Sequence, residues 1–219
     1  MIPLVKVCGN TRLEDAMAAL DCGADALGFI FYAPSPRAAE PQAVARIVSA
    51  LPPYTCTVGV FANETVARMN EIAEACRLDR IQLHGQEGHA VLARLNRPAY
   101  RARKLRSPAD LEALLAEPDR TMLLDTYDAG LHGGTGRTFD WSWAREAGRR
   151  KRVILAGGLS PANVALAVEQ AQPYALDVSS ALEAAPGIKD PLKIEAFFRV
   201  LNGIASASSP SRAAHASTH

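Results

Sequence analysis

The stretch VILAGGLSP, residues 153–161, contains the pattern that decides the fold. Its first four residues form an apolar run that is too short for a typical helix, and two glycines end the run. A serine and a proline follow, which is typical of a helix start because proline fits the first helical position. The stretch therefore predicts a buried strand, a tight turn and a helix, in that order.

Seven more short apolar runs lie along the 219-residue chain. Because each run is apolar almost throughout, it favours a strand that is buried on both faces, as in parallel sheets. Helical signals lie between most of the runs, and residues 191–201 predict a closing amphipathic helix. The eight predicted strands are residues 4–7, 26–31, 57–61, 80–83, 101–105, 121–125, 153–156 and 175–178.

Strands that alternate with helices predict an α/β fold, a single-domain (β/α)₈ TIM barrel over residues 1–204. Thr11, Asn63 and Ser107 are the predicted N-terminal caps of three of its helices. The alternative fold is an open doubly wound sheet, which normally has fewer strands and a glycine-rich turn after the first one. Residues 205–219 have almost no large apolar side chains, so this tail is predicted to be disordered.

Composition argues against several classes of protein. The 24 basic and 23 acidic side chains give a formal net charge of +1, which provides no electrostatic footprint for nucleic acid or an anionic membrane. The four cysteines are scattered without a zinc-type spacing, and neither a signal peptide nor a membrane-spanning run is visible. These observations predict a cytoplasmic protein with free thiols and a small-molecule partner.

Polar residues collect after the predicted strands. In (β/α)₈ barrels the chemistry takes place at the carboxyl ends of the strands, so we expect one functional site there. The residues at those ends include a thiol, a carboxylate, a guanidinium, an imidazole and glycine turns, namely Cys8, Arg37, Asn63, His84, Asp125, Gly157-Gly158 and Ser179-Ser180.

Cys8 differs from an ordinary buried cysteine because it ends the first predicted strand and precedes Gly9. Lys6 lies one pleat below on the same face, and a lysine that points into the barrel would favour the thiolate form. A buried lysine needs a counter-charge. Asp177 on the eighth strand is the candidate, because the first and last strands become neighbours when a barrel closes.

The other candidate side chains allow more than one interpretation. Asp125 ends an apolar run, so its carboxylate is expected to cap a helix, pair with a cation or take part in chemistry. Arg37 follows prolines in a stiff loop, which suits bidentate capture of a carboxylate. His84 is expected to form a polar wall more than to act as a base. Arg103 is expected to point inward from its strand.

Two turns indicate a phosphate site. Gly157-Gly158 and Ser179-Ser180 follow the seventh and eighth strands, where barrels commonly bind phosphate through backbone N–H groups. The glycine-rich residues 133–136 would also let the backbone approach a ligand, although such loops are more often only flexible turns. The sequence therefore predicts that a phosphate binds at the Gly157-Gly158 and Ser179-Ser180 turns.

In their order along the chain, these blocks resemble the phosphoribosylanthranilate isomerase family. The resemblance runs from Lys6 to Asp190, nearly the whole folded chain. Each block is weakly specific, but their number and order make the match strong. The matching blocks are residues 6–12, 23–29, 35–37, 58–61, 81–85, 124–126, 133–136, 139–141, 155–159 and 176–180, followed by Glu183, Pro186-Gly187 and Lys189-Asp190.

The resemblance implies an isomerase of tryptophan biosynthesis that performs an Amadori rearrangement. N-(5-phosphoribosyl)anthranilate would become 1-(2-carboxyphenylamino)-1-deoxyribulose 5-phosphate. Asp125 would be the general acid that opens the ribose ring, and Cys8 the general base that removes the C2′ proton. Arg37 would hold the anthranilate carboxylate, and no metal or organic cofactor is implied. The other expected substrate-binding residues are His84, Arg103, Gly134, Gly157, Gly158, Ser180 and Ala181.

This chain departs from the family at Ala181, where the family usually has glycine. Alanine keeps the N–H group that a phosphate contact needs. If the position required a positive φ, the methyl group would cost about 1 kcal/mol.

Two other functions are weighed against this one. A second phosphate-binding barrel, such as indole-glycerol-phosphate synthase, would need lysines and glutamates at the strand ends, and a bifunctional isomerase would have aspartate in place of Cys8. A barrel that serves only as a binding module would not be expected to have both Cys8 and Asp125. The sequence does not distinguish a monomer from a homodimer.

Overall fold

The computed structural model describes residues 2–125 and 141–208, and its main sheet is one closed barrel. Each barrel strand is parallel to the next in chain order, and β1 pairs with β8 to close the sheet. The predicted TIM barrel is confirmed, and the open doubly wound sheet was the wrong alternative. The strands are β1 Leu4–Val7, β2 Ala26–Ile30, β3 Cys56–Phe61, β4 Arg80–Leu83, β5 Ala99–Lys104, β6 Thr121–Asp125, β7 Arg152–Ala156 and β8 Ala175–Val178.

Helices connect most of the strands. A 3₁₀-helix, His89–Arg94, connects β4 to β5, and a short antiparallel hairpin of β9 (Glu183–Ala185) and β10 (Ile188–Lys189) follows β8. The α-helices of the described residues are α1 Leu13–Asp21, α2 Pro41–Ala50, α3 Val66–Ala75, α4 Pro108–Ala116, α5 Trp141–Gly148, α6 Val164–Ala171 and α7 Pro191–Ser208. Helix α7 continues past residue 204, and the rest of the tail predicted to be disordered lies outside the described residues.

Two hydrophobic layers hold the barrel together. The outer layer lies between strands and helices and includes Phe29, Phe61 and Phe197, none of which is exposed. The inner layer fills the barrel, and it contains Tyr100 and Ala102, alternate residues of β5. The other buried members of the inner layer are Val58, Leu123, Ile154, Ala156 and Ala175. The inner layer therefore fills the middle of the barrel, and the cavities of the sheet lie towards the ends of the strands.

Of the three predicted helix N-caps, the structure has only the one in which the capping side chain bonds to its own helix. Ser107 caps α4 in a reciprocal capping box, as predicted. The prediction for Thr11 is wrong, because its hydroxyl donates to the carbonyl O of Gly187, 176 residues away. The prediction for Asn63 is wrong as well, because Thr65 caps α3.

Three further features of the described residues bear on function. All four cysteines are free thiols. No helix within the described ranges is long and apolar enough to cross a membrane. The same residues contain no cluster of three or more His, Cys, Asp or Glu side chains that could hold a metal ion.

Candidate active site

A cavity of about 460 Å³ opens at the carboxyl ends of the barrel strands. Its walls bring together residues that lie near or just after the carboxyl ends of seven of the eight barrel strands, as the sequence predicts for a barrel site. The sequence-predicted residues that line it are Cys8, Arg37, His84, Asp125, Gly157, Gly158 and Ser180. The other lining residues are Ile30, Val60, Gln82, Ala156, Leu159, Asp177, Val178 and Ser179.

The remaining predicted residues lie elsewhere. Arg103 lines a neighbouring depression of about 520 Å³, which shares His84 and Asp125 with the cavity. Ala181 is not among the residues that line the cavity walls. Gly134 lies outside the described residues.

The thiol of Cys8 lies directly after β1, with its backbone held in the sheet. The N–H of Cys8 donates to the carbonyl O of Val178 at 2.8 Å. Gly28 on the neighbouring strand makes room for the side chain, because a Cβ at that position would lie only 2.7 Å from Cys8 Sγ. A larger residue at position 28 would therefore collide with the thiol.

An ion pair between Lys6 and Asp177 lies beneath Cys8, which confirms the predicted pair. Lys6 Nζ is 2.9 Å from Asp177 Oδ2, and the two side chains are only 5% and 7% exposed. Burial disfavours the lysine charge, but the combined attraction of Asp177, Cys8 and Tyr100 outweighs it and raises the pKa of Lys6. Lys6 therefore stays cationic below the thiol.

Burial controls the acidity of Cys8. It raises the pKa of the thiol above its usual value, whereas the charge of Lys6 lowers it. Lys6 thus acts in the expected direction but does not outweigh burial. The prediction that Lys6 favours the thiolate is therefore confirmed in direction, although burial of Cys8 has the larger effect on the pKa of the thiol.

A carboxylate holds Arg37 in place. Arg37 Nε donates to Glu183 Oε1 at 2.8 Å, and Nη2 donates to Glu183 Oε2 at 2.7 Å. Burial disfavours the carboxylate charge, but hydrogen bonds and charges of Arg37 and Lys189 keep the pKa of Glu183 below its usual value. The guanidinium is therefore oriented by the hairpin as well as by the prolines of its own loop.

Lys189 fastens that hairpin to the barrel. Its side chain is 0% exposed, and Nζ lies 3.0 Å from Glu183 Oε1. The same Nζ donates to the carbonyl O atoms of Cys8 at 2.6 Å and of Ser179 at 3.3 Å. One ammonium group thus connects the end of β1, the end of β8 and the partner of Arg37.

The turn after β7 has the backbone geometry that glycine permits. Gly157 and Gly158 have φ angles of 89° and 66°, in the left-handed region. Asn163 supports the turn, because its side-chain amide donates to the carbonyl O of Gly158 at 2.9 Å. After β8, Ser180 begins a 3₁₀-helix that contains Ala181, and Ala181 is not among the residues with positive φ. The alanine at this position therefore carries no left-handed strain.

His84 is in contact with the carboxyl group of Asp125. Its Nε2 lies 3.4 Å from Asp125 Oδ2, and its Nδ1 lies 3.0 Å from Gln82 Nε2. His84 therefore forms part of the cavity wall and also contacts the carboxyl group of Asp125 directly.

Arg103 does not point inward, so that prediction is wrong. Arg103 Nε donates to Glu117 Oε1 at 3.1 Å. Because Tyr100 and Ala102 face the inside of the barrel, strand alternation turns Arg103 to the outside. Arg103 thus meets the rim of the neighbouring depression and not the barrel interior.

Sequence reasoning missed the roles of four residues, although each left a signal. Gln82 is a polar residue inside an apolar strand, and Gly28 is a glycine inside another. Glu183 and Lys189 are opposite charges on either side of the Pro186-Gly187 turn, which is typical of a hairpin. These sequence features mark where the four residues lie along the chain, but they do not identify the residues that the side chains contact.

The closed barrel and the polar cavity at its strand ends define the class of (β/α)₈-barrel enzymes. Residues 5–200 match the family described as N-(5'phosphoribosyl)anthranilate (PRA) isomerase. The chain belongs to this family.

Similar proteins agree over nearly the whole chain. An N-(5'-phosphoribosyl)anthranilate isomerase from Pseudomonas putida (strain W619) is 50% identical over 198 residues, which cover 90% of this chain and 96% of that relative. The phosphoribosyl anthranilate isomerase structure from Thermotoga maritima has a TM-score of 0.85 at 39% identity and covers 92% of this chain and 99% of its own. A structure of a phosphoribosyl anthranilate isomerase in complex with reduced 1-(o-carboxyphenylamino)-1-deoxyribulose 5-phosphate has a TM-score of 0.83 at 37% identity and covers 92% of this chain and 99% of its own.

Proposed function

We propose that this chain isomerises N-(5'-phosphoribosyl)anthranilate in tryptophan biosynthesis, with Cys8 and Asp125 as its proton-transferring pair. Family membership supports the reaction, as 46–50% identity to relatives that bear this enzyme name extends over most of the chain. The observation that carries the residue assignment is that one cavity holds the Cys8 thiol, the Asp125 carboxyl group and the glycine turn. The reaction needs an acid, a base and a phosphate anchor, and the cavity offers a group for each.

The proton transfers follow from the chemistry of the substrate. Asp125 in its protonated form gives a proton to the ribose ring oxygen, and the bond from that oxygen to C1′ breaks to leave a Schiff base. The Cys8 thiolate then removes the proton from C2′, and the resulting enolamine tautomerises to the amino-ketone product. A positioned acid and a positioned base each contribute about 10²–10⁴-fold in such steps.

Arg37 is the proposed partner of the anthranilate carboxylate. A guanidinium has five N–H donors in a fixed plane. Glu183 takes the donor on Nε and one on Nη2, so donors remain for a second carboxylate. Because Glu183 fixes the plane, Arg37 loses little side-chain freedom when substrate binds.

The phosphate is proposed to bind between the turns after β7 and β8. Backbone N–H groups of Gly157, Gly158, Ser180 and Ala181 are the proposed donors, since amides at such turns bind phosphate without a formal charge. Gly134 remains a proposed contact outside the described residues.

We propose a cytosolic location, because all four cysteines are free thiols. The proposed partner is this small phosphorylated substrate and not nucleic acid or a membrane. The oligomeric state is proposed to be monomer or homodimer, and a Thermotoga maritima relative is described as dimeric, with monomers generated from it.

An isomerase assay tests the function. The purified chain is mixed with freshly made phosphoribosylanthranilate, and loss of the substrate fluorescence is followed with time. We expect rapid conversion to the carboxyphenylamino-deoxyribulose phosphate, which is then left unchanged. A folded protein that leaves the substrate intact, or that converts the amino-ketone to indole-glycerol phosphate, would contradict the proposal.

Arg37→Ala is expected to raise KM about 10- to 100-fold with a smaller change in kcat. The reason is that a hydrogen bond to a charged group is worth about 1.5–3 kcal/mol. Steady-state kinetics measures both constants, and Arg199→Ala, which removes an exposed arginine from α7, is the matched control. An unchanged KM would remove Arg37 from the substrate site.

A further inference from the structure

Four polar side chains form a continuous chain from the inside of the barrel to the cavity. The Tyr100 hydroxyl donates to Gln82 Oε1 at 3.0 Å. Gln82 Nε2 lies 3.0 Å from His84 Nδ1, and His84 Nε2 lies 3.4 Å from Asp125 Oδ2. Tyr100 and Gln82 are 6% and 1% exposed, so water does not compete freely for their hydrogen bonds.

The hydrogen bonds from Tyr100 to Asp125 all run in one direction, and the Tyr100 hydroxyl sets that direction. Burial raises the pKa of Tyr100, so its hydroxyl keeps the proton that it donates to Gln82 Oε1. A side-chain amide has one oxygen and one NH₂ group, so the NH₂ group of Gln82 faces His84 Nδ1. His84 Nδ1 must then accept, and the ring proton of neutral His84 lies on Nε2, towards Asp125.

We infer that Gln82 is a positioning residue that holds His84 neutral, as the Nε2–H tautomer, and so places no imidazolium charge beside Asp125. A second proton on His84 would lie on Nδ1 and would point at the NH₂ group of Gln82, donor against donor. Rotating the amide of Gln82 to avoid this contact would take the acceptor away from the buried Tyr100 hydroxyl. Both arrangements disfavour the imidazolium form.

The consequence concerns the proposed acid, so this inference rests on the proposed function. An imidazolium beside a carboxyl group favours the carboxylate and lowers its pKa by about 1–3 units. Asp125 would then be ionised when the ring oxygen needs its proton. A neutral N–H donor can orient the carboxyl group with a much smaller effect on its pKa.

Other charged groups face the same two side chains. Cys8, Arg37 and Asp177 line the cavity, and Tyr32, Arg103 and Lys104 line the neighbouring depression. Lys104 is also the β5 residue opposite Asp125 in the barrel. A substitution at Gln82 leaves all of these groups in place, so a change in His84 reports on the amide itself.

The first test reads the tautomer directly. Long-range ¹H–¹⁵N NMR spectra of the uniformly labelled protein distinguish the two neutral tautomers from imidazolium, and the signals of His84 among the five histidines are those missing in His84→Asn. We expect the Nε2–H tautomer at neutral pH. An Nδ1–H tautomer or an imidazolium in the unsubstituted protein would overturn the inference, without the need for a Gln82 variant.

The second test changes the group that faces Nδ1. Gln82→Glu offers an acceptor in place of a donor, and Gln82→Met removes the donor, so we expect a larger share of His84 to carry a proton on Nδ1 in both. We also expect kcat at pH 7 to fall about tenfold, its alkaline limb to move to lower pH by about one unit, and KM to change less than threefold. Gln170→Glu, the same change on the exposed face of α6, should alter none of these values.

A purely packing role for Gln82 predicts a different result. In that case His84 would keep the Nε2–H tautomer and its protonation in both variants, and this outcome would overturn the inference. An experiment can contradict the proposed function without contradicting the inference about Gln82 and His84. If Asp125→Asn kept full turnover, the acid would be misassigned while the NMR result for His84 could still hold.

Discussion

Replacing Cys8 with alanine is expected to lower kcat by at least about a hundredfold, the lower end of what a positioned base contributes. The thiol is the proposed base for the C2′ proton, and alanine leaves no base in its place. The fold should persist, because alanine fits the space that Gly28 leaves open. Circular dichroism and thermal unfolding check the fold, and the fluorescence assay measures turnover.

Two further variants sharpen the Cys8 test. Cys8→Ser should lose nearly as much activity, because a hydroxyl ionises far less readily than a thiol. Cys22→Ala removes a thiol after α1, remote from the cavity, and should keep full turnover. Near-normal turnover of Cys8→Ala would end the assignment of the base.

The pH dependence of kcat/KM is part of the same test, because this ratio reports on the free enzyme. Cys8 must lose its proton to act and Asp125 must keep its own, so kcat/KM is expected to rise, level off and fall as the pH increases. Burial raises the pKa of the thiol, so the fall should begin above the range of an ordinary cysteine. A profile that already falls below that range would not agree with a buried thiol as the base.

Replacing Asp125 with alanine or asparagine is expected to lower kcat by at least about a hundredfold as well. Neither residue can give a proton to the ring oxygen at neutral pH. Asparagine nearly preserves the shape and can still accept a hydrogen bond from His84 Nε2, so its loss of activity isolates the acid function. The measurement is single-turnover ring opening, which separates this step from product release.

Asp21→Asn, at the exposed end of α1, is the matched control for Asp125→Asn and should leave kcat unchanged. A substrate that is already ring-opened, the Schiff base or its reduced analogue, should bind Asp125→Asn about as tightly as it binds the unsubstituted enzyme. Full turnover of Asp125→Asn would mean that another group protonates the ring oxygen.

The barrel strands could be predicted because their signal is local. The eight apolar runs agree with the observed strands to within two residues at each end. Helix α2 was missed, although Pro41 at its start and Val44 and Ile47 three residues apart are typical of a helix. No side chain caps that helix, so the usual start signal is absent.

The site could be predicted in position but not in its connections. Barrel topology alone brings Cys8 and Asp125 to one end, so their common cavity needed no knowledge of distant contacts. The network around Arg37 depends on Glu183, which is 146 residues away in sequence, and no local pattern specifies that partner. Arg103 was misplaced because strand alternation separates Tyr100 and Ala102 from Arg101 and Arg103, but the sequence alone does not say which of these two sets faces the inside of the barrel.

The attachment of the β9–β10 hairpin has a consequence for two parts of the proposed site. Lys189 Nζ donates hydrogen bonds to the carbonyl O of Cys8 and to the carboxylate of Glu183, which orients Arg37. One ammonium group therefore supports both the proposed base and the proposed carboxylate-binding group. A substitution at Lys189 is expected to weaken recognition of the anthranilate carboxylate and proton transfer together, although Lys189 itself contacts neither the carboxylate nor the C2′ proton in the proposed complex.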